Sequence, residues 1–142
     1  MNYLIDTFVL SECVKKTPNA QVEQWFNRQQ PEQLFLSIIT LAKIKKGINK
    51  IKATQPERSQ KLQQWLNTIE AKFSPRILPI TEIILDNWAE ITANAELQGN
   101  KLAVMDSFIA ATAYHHQLIL VTRNVDDFKM TPIKIINPYH EI

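Results

Sequence analysis

The chain has 142 residues, 45% of them hydrophobic and 21% charged, with a formal net charge of +2. Those proportions are globular, and at roughly 150 residues per domain they describe one domain, 1–142, able to bury a core unaided. They exclude disorder for most of the chain, and the single cysteine, Cys13, excludes a disulfide framework or a cysteine-based zinc cluster. Apolar runs such as Ile77–Ile80 and Leu118–Thr122 are far too short to cross a bilayer, and Asp6 interrupts any N-terminal signal segment. The expectation is a soluble, cytoplasmic protein with no membrane partner. The small net charge conceals a segregated block. Between Lys43 and Arg76 stand nine Lys or Arg and two acids, Glu57 and Glu70. Such a block either attracts a polyanion or forms a solvated helix face.

The elements alternate along the chain. Tyr3-Leu4-Ile5 is a first strand ending at Asp6, and Phe8 to Lys16 follows as a short helix with Thr7 as a candidate cap. Val22, Trp25 and Phe26 fall at i, i+3 and i+4, an amphipathic helix. Leu34-Phe35-Leu36 is a second strand, with Ser37 or Thr40 available to cap a helix running through Ile51. Pro56 stands near the start of a helix carrying Leu62, Trp65, Leu66 and Ile69. Ile77 to Ile80 is a third strand, and Pro79 marks it as an edge. Thr81 opens a helix with Ile84, Leu85, Trp88 and Ile91. Met105 to His116 is a buried apolar helix, and Leu118 to Thr122 reads as a strand covered on both faces. Lys134-Ile135-Ile136 is the last strand. Alternating strands and helices predict a three-layer α/β/α fold around a mostly parallel sheet. With only Gly47 and Gly99 available, no glycine-rich phosphate loop is expected.

In parallel α/β folds, function gathers at the carboxyl ends of the strands. That rule selects Asp6 after the first strand and Thr122, Arg123, Asn124 and Asp127 after the fourth. It adds Asp106, in the first turn of the helix leading into that strand. Each acid alone has a structural explanation, as a cap or a surface residue. Together they can converge on one pocket, where a hard divalent cation relieves their repulsion, activates water and neutralises a phosphodiester.

The segments YLIDTFVLSE (3–12), LFLSIITLAKIKKGI (34–48), LAVMDSFIAATAYHHQLILVTRNVDDF (102–128) and INPY (136–139) resemble the PIN-domain family, in particular its VapC-type toxins. The resemblance covers essentially the whole chain. It implies about five strands with helices on both faces, and endoribonuclease activity dependent on Mg²⁺ or Mn²⁺. It also implies a homodimer inhibited by a VapB-type antitoxin. By the same resemblance, Asp6 and Asp106 match metal-holding acids, and Asn124, with Asp127 close by, matches a fourth acidic position.

Two departures stand out. Where relatives carry TLGEI this chain reads TLAKI, so Lys43 occupies the expected second acid, and DTN becomes DTF, with Phe8 expected to pack in the core. Exchanging carboxylate for ammonium changes the local charge by two units. At about 4 Å and an effective dielectric of 20 each unit pair is worth roughly 4 kcal/mol gross. The expectation is a VapC-like ribonuclease attenuated or inactivated by Lys43. The alternatives are a non-catalytic PIN module binding antitoxin or RNA, and a DNA-directed nuclease of the same fold.

Other residues divide between functional and structural readings. Thr7 either holds a phosphate or metal-bound water, or caps the first helix. Arg123 either binds RNA phosphate or forms an ion pair. Lys45, Lys46, Lys50 and Lys52 either line an RNA path or are solvated. Glu12 is expected at the surface rather than as a replacement ligand, and Cys13 as a small buried hydrophobe. His115 and His116 read as a helix end with rings pointing apart. Trp25, Trp65 and Trp88 read as core or interface anchors.

Overall fold

The computed structural model describes residues 1–140. Its strands are β1 (Tyr3–Ile5), β2 (Leu34–Ser37), β3 (Ile77–Leu78), β4 (Ile119–Val121) and β5 (Ile135–Ile136). Its helices are α1 (Thr7–Glu12), α2 (Ala20–Asn27), α3 (Ile38–Ile51), α4 (Pro56–Phe73), α5 (Glu82–Leu97) and α6 (Val104–His116). The sheet is all parallel, in the order β3-β2-β1-β4-β5. The strands β1, β2 and β3 step outward in one direction, and the chain then returns to place β4 on the other side of β1. The strand order therefore reverses between β1 and β4, which makes their carboxyl ends the crevice of this sheet.

Period-two alternation builds the layers. Ile5, Leu34, Leu36 and Val121 pack with α1 to α4 in one buried cluster. Leu4 and Leu120 point the other way and pack with Ile109, Ala110 and Ala113 of α6. A further cluster seals α5 to α6 through Ile84, Ile91, Ala95 and Ala111. The three-layer architecture predicted from sequence is thus the one observed.

Local chemistry sets the element ends. Ser37 Oγ accepts from the N–H of Ile39 and caps α3. Pro56 occupies the first turn of α4, where its missing N–H costs nothing. Pro79, which cannot donate to a ladder, lies just beyond β3 at the sheet edge. This leaves β3 two residues long instead of the four expected. The exposed lysines of α3 include Lys45, which reaches Glu70 of α4 at 3.7 Å. Trp25 is buried, whereas Trp65 and Trp88 are half-buried, with Trp88 Nε1 donating to Ser107 Oγ at 2.8 Å.

Several expectations fail around α1, which is six residues long and ends at Glu12 rather than Lys16. Its cap is Asp6, not Thr7. Val9 and Leu10 take the inward positions, so Phe8 turns outward and is 47% exposed instead of entering the core. Cys13 falls past the helix end and is exposed. Glu12, expected at the surface, is buried. Its carboxylate accepts from Tyr139 Oη at 2.6 Å, the Asn19 N–H at 2.9 Å and Lys15 Nζ at 3.1 Å. At the other end of the chain's helical layer, His115 and His116 close α6 as expected. Their rings meet edge to face with centroids 4.7 Å apart rather than diverging.

The hydrogen bond from Tyr139 holds the Glu12 carboxyl below its ordinary range, against the opposing effect of burial. A depressed carboxyl contributes stability above its unfolded pKa of about 4.3 and loses it as pH falls through the folded value. Glu12→Gln is expected to lower unfolding free energy at pH 7 by about 1–3 kcal/mol. In denaturant titrations at several pH values the deficit should shrink below pH of about 4. A deficit independent of pH would contradict this.

Candidate active site

The crevice is built around Asp6. The residue closes β1, continues the ladder with its own N–H to Val121 O at 3.0 Å, and is 2% exposed. A carboxylate so buried needs hydrogen bonds on its oxygens. Oδ1 accepts from the Thr7 N–H at 2.8 Å, and Oδ2 accepts from Thr122 Oγ1 at 2.7 Å. Thr122 is itself buried just past β4, and its Oγ1 also accepts from the Asn124 N–H at 3.1 Å. One hydroxyl therefore ties the ends of β1 and β4 to the loop that follows β4.

Asp106 enters from the first turn of α6, whose apolar face fixes the helix against the sheet. Lys43 enters from the middle of α3, and its Nζ lies 3.7 Å from Asp106 Oδ1. Burial pushes the Asp106 carboxyl above its ordinary range, and the charges of Asp6 and Asp127 push the same way. The Lys43 ammonium works against them without cancelling burial. The site is thus an acidic cluster partly neutralised by a cation from the protein itself.

The other predicted residues lie around this centre. Asn124 is half-buried and precedes the short turn Val125–Phe128, in which Asp127 is exposed. Arg123 is exposed and lies over the Phe8 ring at 4.6 Å and the Tyr139 ring at 5.6 Å. Among the described residues it makes no ion pair. Lys46 is exposed one turn beyond Lys43 and is not drawn into the cluster. Glu12 is committed to Tyr139, Asn19 and Lys15 and has no part in it.

Sequence reasoning offered Thr40 only as an alternative cap for α3, a role Ser37 takes, and missed it as a residue of the site. Its Oγ1 and that of Thr7 are buried with no hydrogen-bond partner. An orphaned buried hydroxyl costs about 1–3 kcal/mol unless water or a ligand satisfies it. Thr7 adjoins Asp6, and Thr40 lies one helical turn before Lys43. The signal available was that spacing: a polar residue at i−3 from Lys43 on the inward face of α3.

The donor set does not fit a divalent cation. Among the described residues, no group of three His, Cys, Asp or Glu side chains is arranged to hold one. Each Asp6 oxygen already accepts one hydrogen bond and keeps a single lone pair, and Asp106 faces an ammonium. Mg²⁺ binds through one or two carboxylates with waters completing its shell. A fixed positive charge at 3.7 Å from one of only two such carboxylates opposes that binding.

An all-parallel α/β/α domain with acids gathered at its switch point defines the class of protein. The chain belongs to the PIN-domain family, whose model matches residues 3–134. It is 32% identical to the protein named Toxin FitB of Neisseria gonorrhoeae over 140 residues, covering 97% of this chain and 99% of that one. The crystal structure of FitAcB from the same organism superposes with a TM-score of 0.91 at 32% identity, covering 98% and 99% of the two chains. The VapC ribonuclease Y4jK of Sinorhizobium fredii is 31% identical over 96% of each chain. A toxin–antitoxin complex from Klebsiella pneumoniae matches with a TM-score of 0.70 at 26% identity, covering 99% and 100%. The homologues are thus VapC- and FitB-type toxins, and the fold is that of chains solved in toxin–antitoxin complexes. No described helix is long and apolar enough to cross a membrane.

The Lys43 contact makes a directional prediction. Removing the ammonium with Lys43→Met should raise the Asp106 carboxyl further, because burial and the neighbouring acids then act unopposed. A carbon-13 NMR pH titration of the side-chain carboxyl measures this, and an unchanged or lowered midpoint would contradict the assignment.

Proposed function

We propose that this chain is a VapC-type ribonuclease toxin in which Lys43 holds metal-dependent RNA cleavage at a strongly attenuated level or abolishes it. The carrying observation is the 3.7 Å contact between Lys43 Nζ and Asp106 Oδ1. The ribonuclease name of the Sinorhizobium relative supports the reaction class. Asp6 and Asp106 would hold Mg²⁺ or Mn²⁺ if position 43 were acidic. Asn124 and Asp127 would then help to position the ion, which would supply an activated water, and Thr7, Arg123 and Lys46 would contact the RNA. As the chain stands, the ammonium neutralises the acids in place of the ion. The pocket keeps its shape and its attraction for phosphate but lacks a means of activating water. The partners in this reading are a VapB-type antitoxin, cytoplasmic RNA and a second copy of the chain. Exposed Ile83 and Leu97 of α5 and Val104 of α6 supply apolar surface for such partners.

The test compares cleavage of single-stranded RNA by the chain and by Lys43→Glu, with Mn²⁺ and with EDTA. Lys43→Glu should cleave at least about tenfold faster, the rate equivalent of 1.4 kcal/mol, and EDTA should abolish the gain. Equal rates would overturn the attenuating role of Lys43. A Lys43→Glu variant that cleaves duplex DNA and spares RNA would overturn the substrate class.

A further inference from the structure

Resting on the ribonuclease reading, we propose that Phe8, Tyr139 and Arg123 form a phosphate clamp beside the acidic cluster. In it the two rings are positioning residues that hold the Arg123 guanidinium for the RNA phosphate next to the one at the acids. The guanidinium sits over both rings, at 4.6 Å and 5.6 Å from their centroids. Neither ring is a salt-bridge partner, and among the described residues the guanidinium has none, so its N–H donors are available for two phosphate oxygens.

Each part of the clamp is held from elsewhere. Arg123 directly follows Thr122, whose hydroxyl is bonded to Asp6, so its backbone is tied to the centre of the site. Tyr139 is anchored through its Oη to the buried Glu12 carboxylate at 2.6 Å, and Oη also reaches Phe8 O at 3.4 Å. Phe8 lies two residues after Asp6 and remains 47% exposed. This explains a large aromatic side chain in water at that position: its ring face supports a cation. An arginine without an acidic partner among the described residues, beside a site for a polyanion, keeps its charge for the ligand.

The experiment is fluorescence anisotropy of a short labelled single-stranded RNA, with EDTA present so that neither metal nor cleavage contributes. Arg123→Ala should weaken binding about tenfold and reduce the slope of log K against log salt by about one. Phe8→Leu should weaken binding about two- to fivefold in the parent chain, the range of an exposed cation–π contact. It should have no effect in the Arg123→Ala background, and Phe8→Tyr should restore affinity. The proposal alone is overturned if the parent chain binds RNA and Arg123→Ala binds it equally well. It is also overturned if Phe8→Leu costs the same in both backgrounds, since the ring would then contact RNA itself. If the parent chain does not bind RNA, the ribonuclease reading falls and the clamp with it.

Discussion

The hydrogen bond from Thr122 Oγ1 to Asp6 Oδ2 is the contact on which the site is assembled. A carboxylate at 2% exposure is tolerable only if its oxygens are bonded, and a strand end supplies few partners of its own. The all-parallel order places β4 against β1, so a threonine 116 residues away supplies one partner and the first N–H of α1 supplies the other. The same hydroxyl accepts from Asn124 and so orients the loop bearing Arg123. Fold and site are not separate here. The register of two central strands decides which side chains meet.

Onto that frame the chain places the Lys43 ammonium, 3.7 Å from Asp106 Oδ1. In a site with two buried or half-buried carboxylates, a charge of +1 fixed on α3 performs one task of a bound divalent cation, which is to offset repulsion. It cannot perform the others. An ammonium donates hydrogen bonds but offers no open coordination position, and it leaves a water molecule's pKa essentially unchanged. Burial raises the Asp106 carboxyl more than the Lys43 charge lowers it. The two orphaned threonine hydroxyls show unspent hydrogen-bonding capacity at the same elements.

Much of this was legible before any coordinates. Short apolar runs punctuated by polar residues marked the strands, and the carboxyl-end rule selected Asp6, Thr122, Arg123, Asn124 and Asp127, with Asp106 added from the start of the helix before β4. Pro79 correctly marked an edge. What failed was local geometry near α1. A helix of six residues has no sustained periodicity to say that Phe8 faces out, that Cys13 lies beyond its end, or that Glu12 turns in. The partner that makes Glu12's burial tolerable, Tyr139, lies 127 residues away and leaves no mark on the sequence around it. Likewise the position of Lys43 was readable from the motif, but its contact with Asp106 depends on how α3 and α6 approach each other at the carboxyl ends of the strands.

The role proposed for the Lys43 ammonium is to keep a divalent cation from binding tightly at this site. Electron paramagnetic resonance of free Mn²⁺ titrated with protein measures that directly, without RNA or turnover. The expected result is weak or no Mn²⁺ binding by the chain, binding by Lys43→Glu at least about a hundredfold tighter, the equivalent of about 2.7 kcal/mol, and its loss in Lys43→Glu/Asp6→Asn. Equal Mn²⁺ affinity in the chain and in Lys43→Glu would contradict it.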